Sequence, residues 1–169
     1  ESYKAGRNAV LGGIDFLNQD PDRLLEMRLN FYLRGLNKTE DPKAEKELVG
    51  PNGEIVGRVK NGRPKFFPDY YVIPMSLDKD NDAQEAFNMI DYFKRNGVLV
   101  KELKEDIGNY KKGDLVIDMA QAKRGYANHI LYKGSNESAW AAMYAELLVN
   151  FPDMRGFKSE PVFADGLFN

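Results

Sequence analysis

The chain has one histidine, His129, and no cysteine among its 169 residues, so any chemistry must come mainly from hydroxyls, carboxylates and amides. Those two counts remove disulfide frameworks, thiol catalysis, cysteine zinc sites and every zinc site that takes two histidines from one chain. His129 lies in Gly125-Tyr-Ala-Asn-His-Ile-Leu131, inside a predicted helix, with no acidic residue at the spacing of a His-x-x-Glu or His-Glu-x-x-His motif. A structural histidine near a helix end is the expectation, ahead of an enzyme acting through it. Ser76, Ser135, Ser138 and Ser159 lack the strand-Gly-x-Ser-x-Gly-helix setting of a nucleophile elbow. Asp78, Asp80 and Asp82 have an alternating spacing that could gather hard oxygen ligands for calcium. Ala83 and Met89, however, stand where an EF-hand loop needs glycine and glutamate, so a solvated loop leading into a helix is expected.

No Gly-x-Gly-x-x-Gly or Gly-x-x-x-x-Gly-Lys-Ser/Thr follows a predicted strand, so nucleotide binding has no motif behind it. The best local candidate for a site is the turn 119–125, because ligands of open α/β sheets bind beyond the carboxyl ends of strands. Gln121, Arg124 and Asn128 are the polar residues there, and they can either bind a ligand or cap and pair locally.

Several elements must position these residues. Apolar residues near helical spacing predict an amphipathic helix over about 3–18, despite Gly12 and Gly13. Asp20-Pro21 then starts a second helix, with Asp20 as N-cap and Pro21 in the first turn, followed by a stripe from Leu25 to Leu36. Residues 37–68 are charged and turn-rich, an excursion with a short hairpin or edge strand at 54–59. Residues 70–74 read as a buried strand. Asp80 or Asn81 caps a helix whose Ala83, Ala86, Phe87, Ile90 and Phe93 face inward, and Gly97 closes it. Residues 98–100 follow as a strand, completing a βαβ unit with parallel pairing. Residues 114–119 form a central strand with Leu115 and Ile117 on one face and Val116 on the other. Helices follow at about 122–131 and from about 138, the latter carrying Trp140, Met143, Tyr144, Leu147, Leu148 and Phe151 on one face and halted by Pro152. The tail through Val162, Phe163, Leu167 and Phe168 either adds an edge strand or stops in mid-fold.

The expected fold class is therefore α/β, a three-layer sandwich with a mostly parallel sheet flanked by helices. Three parts are expected: a helical segment (1–36), the charged excursion (37–68) and an α/β domain (69–169). Lysine and arginine number 24 against 26 acidic residues, a net charge of -2, which gives no global field to hold nucleic-acid phosphate. No apolar run reaches the roughly 18 to 20 residues of a membrane span. The chain opens at Glu1 without a methionine, as a fragment or a processed product would.

Several stretches together resemble the region that follows the catalytic core in bacterial secreted zinc carboxypeptidases, relatives of carboxypeptidases A and T. They are Lys4-Ala-Gly-Arg-Asn-Ala-Val-Leu-Gly-Gly-Ile-Asp15, Arg28-Leu-Asn-Phe-Tyr-Leu-Arg-Gly35, Tyr71-Val-Ile-Pro74, Asp118-Met-Ala-Gln-Ala-Lys-Arg-Gly-Tyr-Ala-Asn128 and residues 144–156. The resemblance implies that the opening helices end or join the peptidase domain. It also implies that residue 70 onward forms an accessory domain similar to class I glutamine amidotransferases, so that the expected sandwich is either flavodoxin-like or class I glutamine amidotransferase-like. The zinc ligands of that family, a His-x-x-Glu pair and a later histidine, match nothing here and would lie before Glu1. The amidotransferase cysteine nucleophile has no counterpart in a chain without cysteine. The resemblance therefore implies a non-catalytic accessory domain, extracellular or in the cell envelope, with no cofactor of its own and zinc in the parent's catalytic domain. Its partners would be that peptidase domain and a peptide or cell-wall substrate. The alternative is a free-standing α/β domain that binds a small molecule or peptide near Gln121, Arg124 and Asn128.

Overall fold

The computed structural model describes residues 1–40, 52, 64–76, 81–133 and 151–168. Its elements are α1 (Ser2–Gln19), α2 (Pro21–Leu36), β1 (Tyr70–Ile73), α3 (Ala83–Arg95), β2 (Lys101–Glu102), β3 (Leu115–Asp118), α4 (Arg124–Leu131), α5 (Phe151–Arg155) and β4 (Glu160–Val162). The hairpin expected at 54–59 and the helical stripe from Trp140 to Leu148 lie outside the described residues.

The four strands form one sheet in the order β2-β3-β1-β4, and every neighbouring pair is antiparallel. This overturns the mostly parallel three-layer sandwich, and with it the flavodoxin-like and amidotransferase-like layouts. The difference has a definite origin. β1, α3 and the strand after it do make a crossover, and β1 and β2 do run the same way, because each is antiparallel to β3. They are not neighbours, however, since β3 is inserted between them. The same holds for β3 and β4 with β1 between them. Two interlocked split units, β1-α3-β2 and β3-α4-α5-β4, give a ferredoxin-like topology.

Side-chain alternation along the strands divides the core in two. Tyr71, Ile73, Leu115 and Ile117 face α3 and α4, where they meet Ala86, Met89, Phe93, Ala127, Ile130 and Leu131. Tyr70, Val72, Val116 and Val162 form the other face with Leu103. That face is covered by Ile107 and Tyr110 from the β2–β3 connection and by Phe168 from the tail, whose ring stands edge-on to Tyr70 and Tyr110 at 5.0 and 5.3 Å. Helices thus cover one face and loops the other. β3 is central and buried on both faces, as its Leu-Val-Ile run implies.

Capping residues set the helix limits. The Asp20 carboxylate accepts from Arg23 N at 3.1 Å with Pro21 in the first turn, as the sequence predicts. At α3 the cap is Asp82, not Asp80 or Asn81: its Oδ1 accepts from the backbone N–H groups of Gln84 and Glu85 at 2.9 and 3.1 Å. Asn81 has another task. Its Nδ2 donates to the carbonyls of Pro74 and Ser76, and its Oδ1 accepts from Lys158 N, which ties the end of β1 to the segment before β4. The inward face of α3 is also rotated from the expected one. Met89 is buried beside Ala86 and Phe93, whereas Phe87 is 59% exposed. Pro152 does not halt a helix either; it lies within α5, which gives way to Gly156 at φ 75°.

The two opening helices are the least buried part of the described chain. α1 buries no residue and α2 buries only Gly35. Every valine, leucine, isoleucine and phenylalanine of α1 is at least 44% exposed, and every leucine, methionine and phenylalanine of α2 at least 38%. α2 reaches the α/β unit through its last turns. A Cβ on Gly35 would lie 2.5 Å from the Gln121 carbonyl oxygen, and Phe31 packs on Gly125 closely enough that a Cβ there would lie 3.1 Å from its ring. Glycine at both positions lets two backbones approach.

Candidate functional site

The turn after β3 is where the sequence places a candidate ligand site, built from Gln121, Arg124 and Asn128. All three are buried there, and each is engaged within the fold.

Gln121 extends the sheet with its side chain. Its Oε1 accepts from Leu99 N at 2.9 Å, and its Nε2 donates to Leu99 O at 3.3 Å and Asp118 O at 2.6 Å. The side-chain amide thus gives Leu99 the donor and acceptor that another strand's backbone would supply. This explains a second correction: residues 98–100 are not a strand, and β2 begins only at Lys101, where Val116 becomes the partner. β3 ends at Asp118, so beyond that point Leu99 has Gln121 in its place.

Arg124 fastens the chain after α2 to α4. Its Nη1 donates to Thr39 O at 3.1 Å, its Nη2 pairs with Glu40, and its guanidinium lies 4.0 Å from the centroid of the Phe67 ring. A buried guanidinium needs a charged partner and hydrogen bonds to offset its desolvation, and Glu40 and Thr39 supply them. Asn128 accepts the Tyr71 hydroxyl at 2.9 Å through Oδ1, joining α4 to β1 across the core. These are the contacts of a scaffold.

The other polar groups follow the same pattern. The buried Asp69 carboxylate pairs with Lys65 at 2.7 Å and Lys38 at 3.6 Å, and Lys38 also pairs with Asp165 in the tail. For Lys38, burial works against the charged form, but the hydrogen bond to Asp165 and the surrounding carboxylates outweigh it and raise its pKa. The same hydrogen bond to Lys38 lowers that of Asp165. Asp114, also buried, accepts from Met75 N at 3.0 Å and Lys111 N at 2.8 Å, fixing the end of β1 against the start of β3. Asp106 orders the β2–β3 connection by accepting from Lys112 N and the Lys111 ammonium, each at 2.9 Å; the backbone hydrogen bond, then the Lys111 one, holds its carboxyl below the usual range. Between α3 and α4 the Tyr126 hydroxyl bonds the Tyr92 hydroxyl at 2.6 Å. Burial first, then that bond, pushes Tyr126 up to about 12.

His129 is exposed in the last turn of α4. Among the described residues no three histidine, aspartate or glutamate side chains converge to hold an ion. Asp82 uses its carboxylate as a helix cap, while Asp78 and Asp80 lie outside the described residues. No described helix is long and apolar enough to cross a membrane.

Sequence reasoning missed Asp114 and Asp69, and it gave Asn81 a helix cap in place of the strand tie that it makes. Each is a short polar side chain next to a strand or helix end, where backbone groups need partners. That position is the one signal that could have found them. Compared with known proteins, the chain matches no family model, no curated protein and no solved structure.

Proposed function

We propose that this chain is a non-catalytic accessory module of a bacterial secreted zinc carboxypeptidase, seated against the parent's peptidase domain by its first two helices. The observation that carries the proposal is the apolar surface of α1 and α2, unburied along nearly its whole length. Monomeric proteins rarely display contiguous apolar patches beyond a few hundred Å², and larger ones mark interaction surfaces. Two further observations support the reading. The sequence stretches that carry the resemblance include both helices and the turn 118–128, and the polar residues of that turn bind the fold itself rather than facing a ligand. Zinc belongs, in this reading, to the peptidase domain, and no catalytic step is assigned to residues of this chain. Its setting is extracellular or the cell envelope.

Two measurements test the proposal. Incubated with an N-blocked dipeptide bearing a free carboxyl terminus, with and without Zn²⁺, the chain is expected to release no amino acid above the blank. Release abolished by a chelator would overturn the non-catalytic reading. Mixed with the peptidase domain of the parent, the chain is expected to co-elute in size-exclusion chromatography, and the double variant Leu25→Glu, Leu29→Glu to elute alone. Both residues are at least 60% exposed, so the change leaves the α/β core untouched. Equal co-elution of the variant would remove the helices from the interface.

A further inference from the structure

A second surface, sharing no residue with α1 or α2, runs along the open edge of the sheet. β2 is an edge strand, and the antiparallel register fixes which of its backbone groups are used. Leu103 N–H donates to Asp114 O at 2.9 Å, and its carbonyl accepts from Gly113 N at 2.9 Å. Leu99 is held from the same side by Gln121. In such a ladder, alternate residues turn their N–H and C=O groups inward and the ones between turn them outward. Leu99, Lys101 and Leu103 face β3, so Val100 and Glu102 present a donor and an acceptor each to the free edge. These backbone groups complement another extended backbone.

The space beside this edge is shaped for side chains. Between β2 and α3 lies an open cavity of about 520 Å³, floored by Met75, Phe87, Ile90, Val100 and Leu115. Phe87, which lies off the buried face of α3, stands on its margin. A strand added along β2 would place alternate side chains on the helix-covered face of the sheet, the side on which Val100 packs against the core. Two acidic and two basic side chains line the cavity, Asp91 and Glu102 against Lys94 and Lys101, and they differ in how they are paired. Asp91 is paired with Arg95 at 2.8 Å, Glu102 with Lys104 at 3.2 Å, and Lys101 lies 3.6 Å from Asp118. Lys94, in the last turn of α3, has no carboxylate within salt-bridge distance among the described residues, so its ammonium is the lining charge open to a ligand carboxylate.

We infer that this groove binds an extended peptide by strand addition to β2, with an apolar side chain of the peptide in the cavity and an acidic side chain facing Lys94. Backbone hydrogen bonds to an edge supply affinity in this mode, and the pockets for alternate side chains supply specificity. The charged residues on β2 itself discourage a second apolar edge from adding indiscriminately.

The probe is a phage-displayed random dodecapeptide library panned on the full chain, followed by fluorescence titration of the enriched peptides made synthetically. Enrichment of sequences with alternating apolar residues and an aspartate or glutamate is expected. Glu102→Pro removes the outward N–H at an edge position that tolerates proline, and Phe87→Asp puts a charge into the cavity from an already exposed site. Each is expected to weaken binding at least tenfold, and Lys94→Glu to weaken acidic peptides more than their amide counterparts. Unchanged circular dichroism of Phe87→Asp keeps the test valid should Glu102→Pro misfold. Absence of enrichment over bare beads, or enriched peptides that bind Phe87→Asp as tightly as the parent chain, would overturn the inference. Neither result bears on docking through α1 and α2.

Discussion

Gln121 shows how one side chain can define the end of a strand. Its amide makes three hydrogen bonds to main-chain groups in a buried setting, so its removal leaves the Leu99 N–H and two carbonyls without partners. Gln121→Leu, of similar volume, is expected to destabilise the fold by about 1–3 kcal/mol in urea unfolding, with faster hydrogen exchange at Leu99. Unchanged stability would mean that water replaces the amide without loss. Tyr126 makes a pH-dependent contribution. Its hydroxyl ionises at about 12 in the folded chain, above the ordinary phenol value of roughly 10, so the folded state favours the neutral form. Stability from this group is fully present below pH about 10 and is lost as the pH rises towards about 12. In a spectroscopic titration a phenolate that appears near pH 12 is expected to vanish in Tyr126→Phe, and a titration identical to that of the parent chain would refute the assignment. Residue types alone mark Gln121, Arg124 and Asn128 as polar groups gathered after a strand. Apart from the Asp118 carbonyl three residues before Gln121, their partners are the Leu99 backbone, Thr39 with Glu40, and Tyr71, at separations in sequence that no local pattern reveals.

Among the elements, legibility follows how local the cause is. The Asp20-Pro21 start of α2 needs only neighbours within one turn, and the two-sided burial of β3 follows from alternation within four residues. Strand direction has no such local cause. Strand, helix and strand in succession are compatible with adjacent parallel pairing or with a split pair, and the choice depends on β3, which comes later and enters the gap. The face of α3 is hidden from the sequence for a similar reason: Phe87 and Met89 both fit helical periodicity, and the position of the sheet determines which is buried. The joint between α2 and α4 rests on Gly35. Gly35→Ala forces a methyl group against the Gln121 carbonyl, and about 1–3 kcal/mol of destabilisation is expected from such overpacking. The expected signature is faster hydrogen exchange over residues 36–39 while β1 and β3 stay protected. Equal protection throughout would mean that the helix shifts at no cost.

Across the whole molecule, buried apolar surface is unevenly distributed. The sheet, α3 and α4 share a continuous core, whereas α1 and most of α2 carry apolar residues that the described chain leaves in contact with water. A fold of ferredoxin-like topology has no fixed function, so the distribution of its surfaces carries more meaning than its layout. The helices offer a broad apolar face and the β2 edge offers a narrow one with hydrogen-bonding capacity.

The position of β4 matters for synthesis. β1 lies between β3 and β4, and β4 is the last of the four strands to be made, with Tyr70 opposite Val162 across 92 positions of chain. While the polypeptide emerges from the ribosome, β1 can pair with β3 on one side, but its other side stays unpaired until residues 160–162 arrive. Nascent chains that stall or are cut before that point would carry a bare, apolar Tyr-Tyr-Val-Ile edge, the kind of template on which strands from other copies assemble. Residues 160–162 thus protect the interior strand of the sheet from aggregation, although they belong to its outermost one.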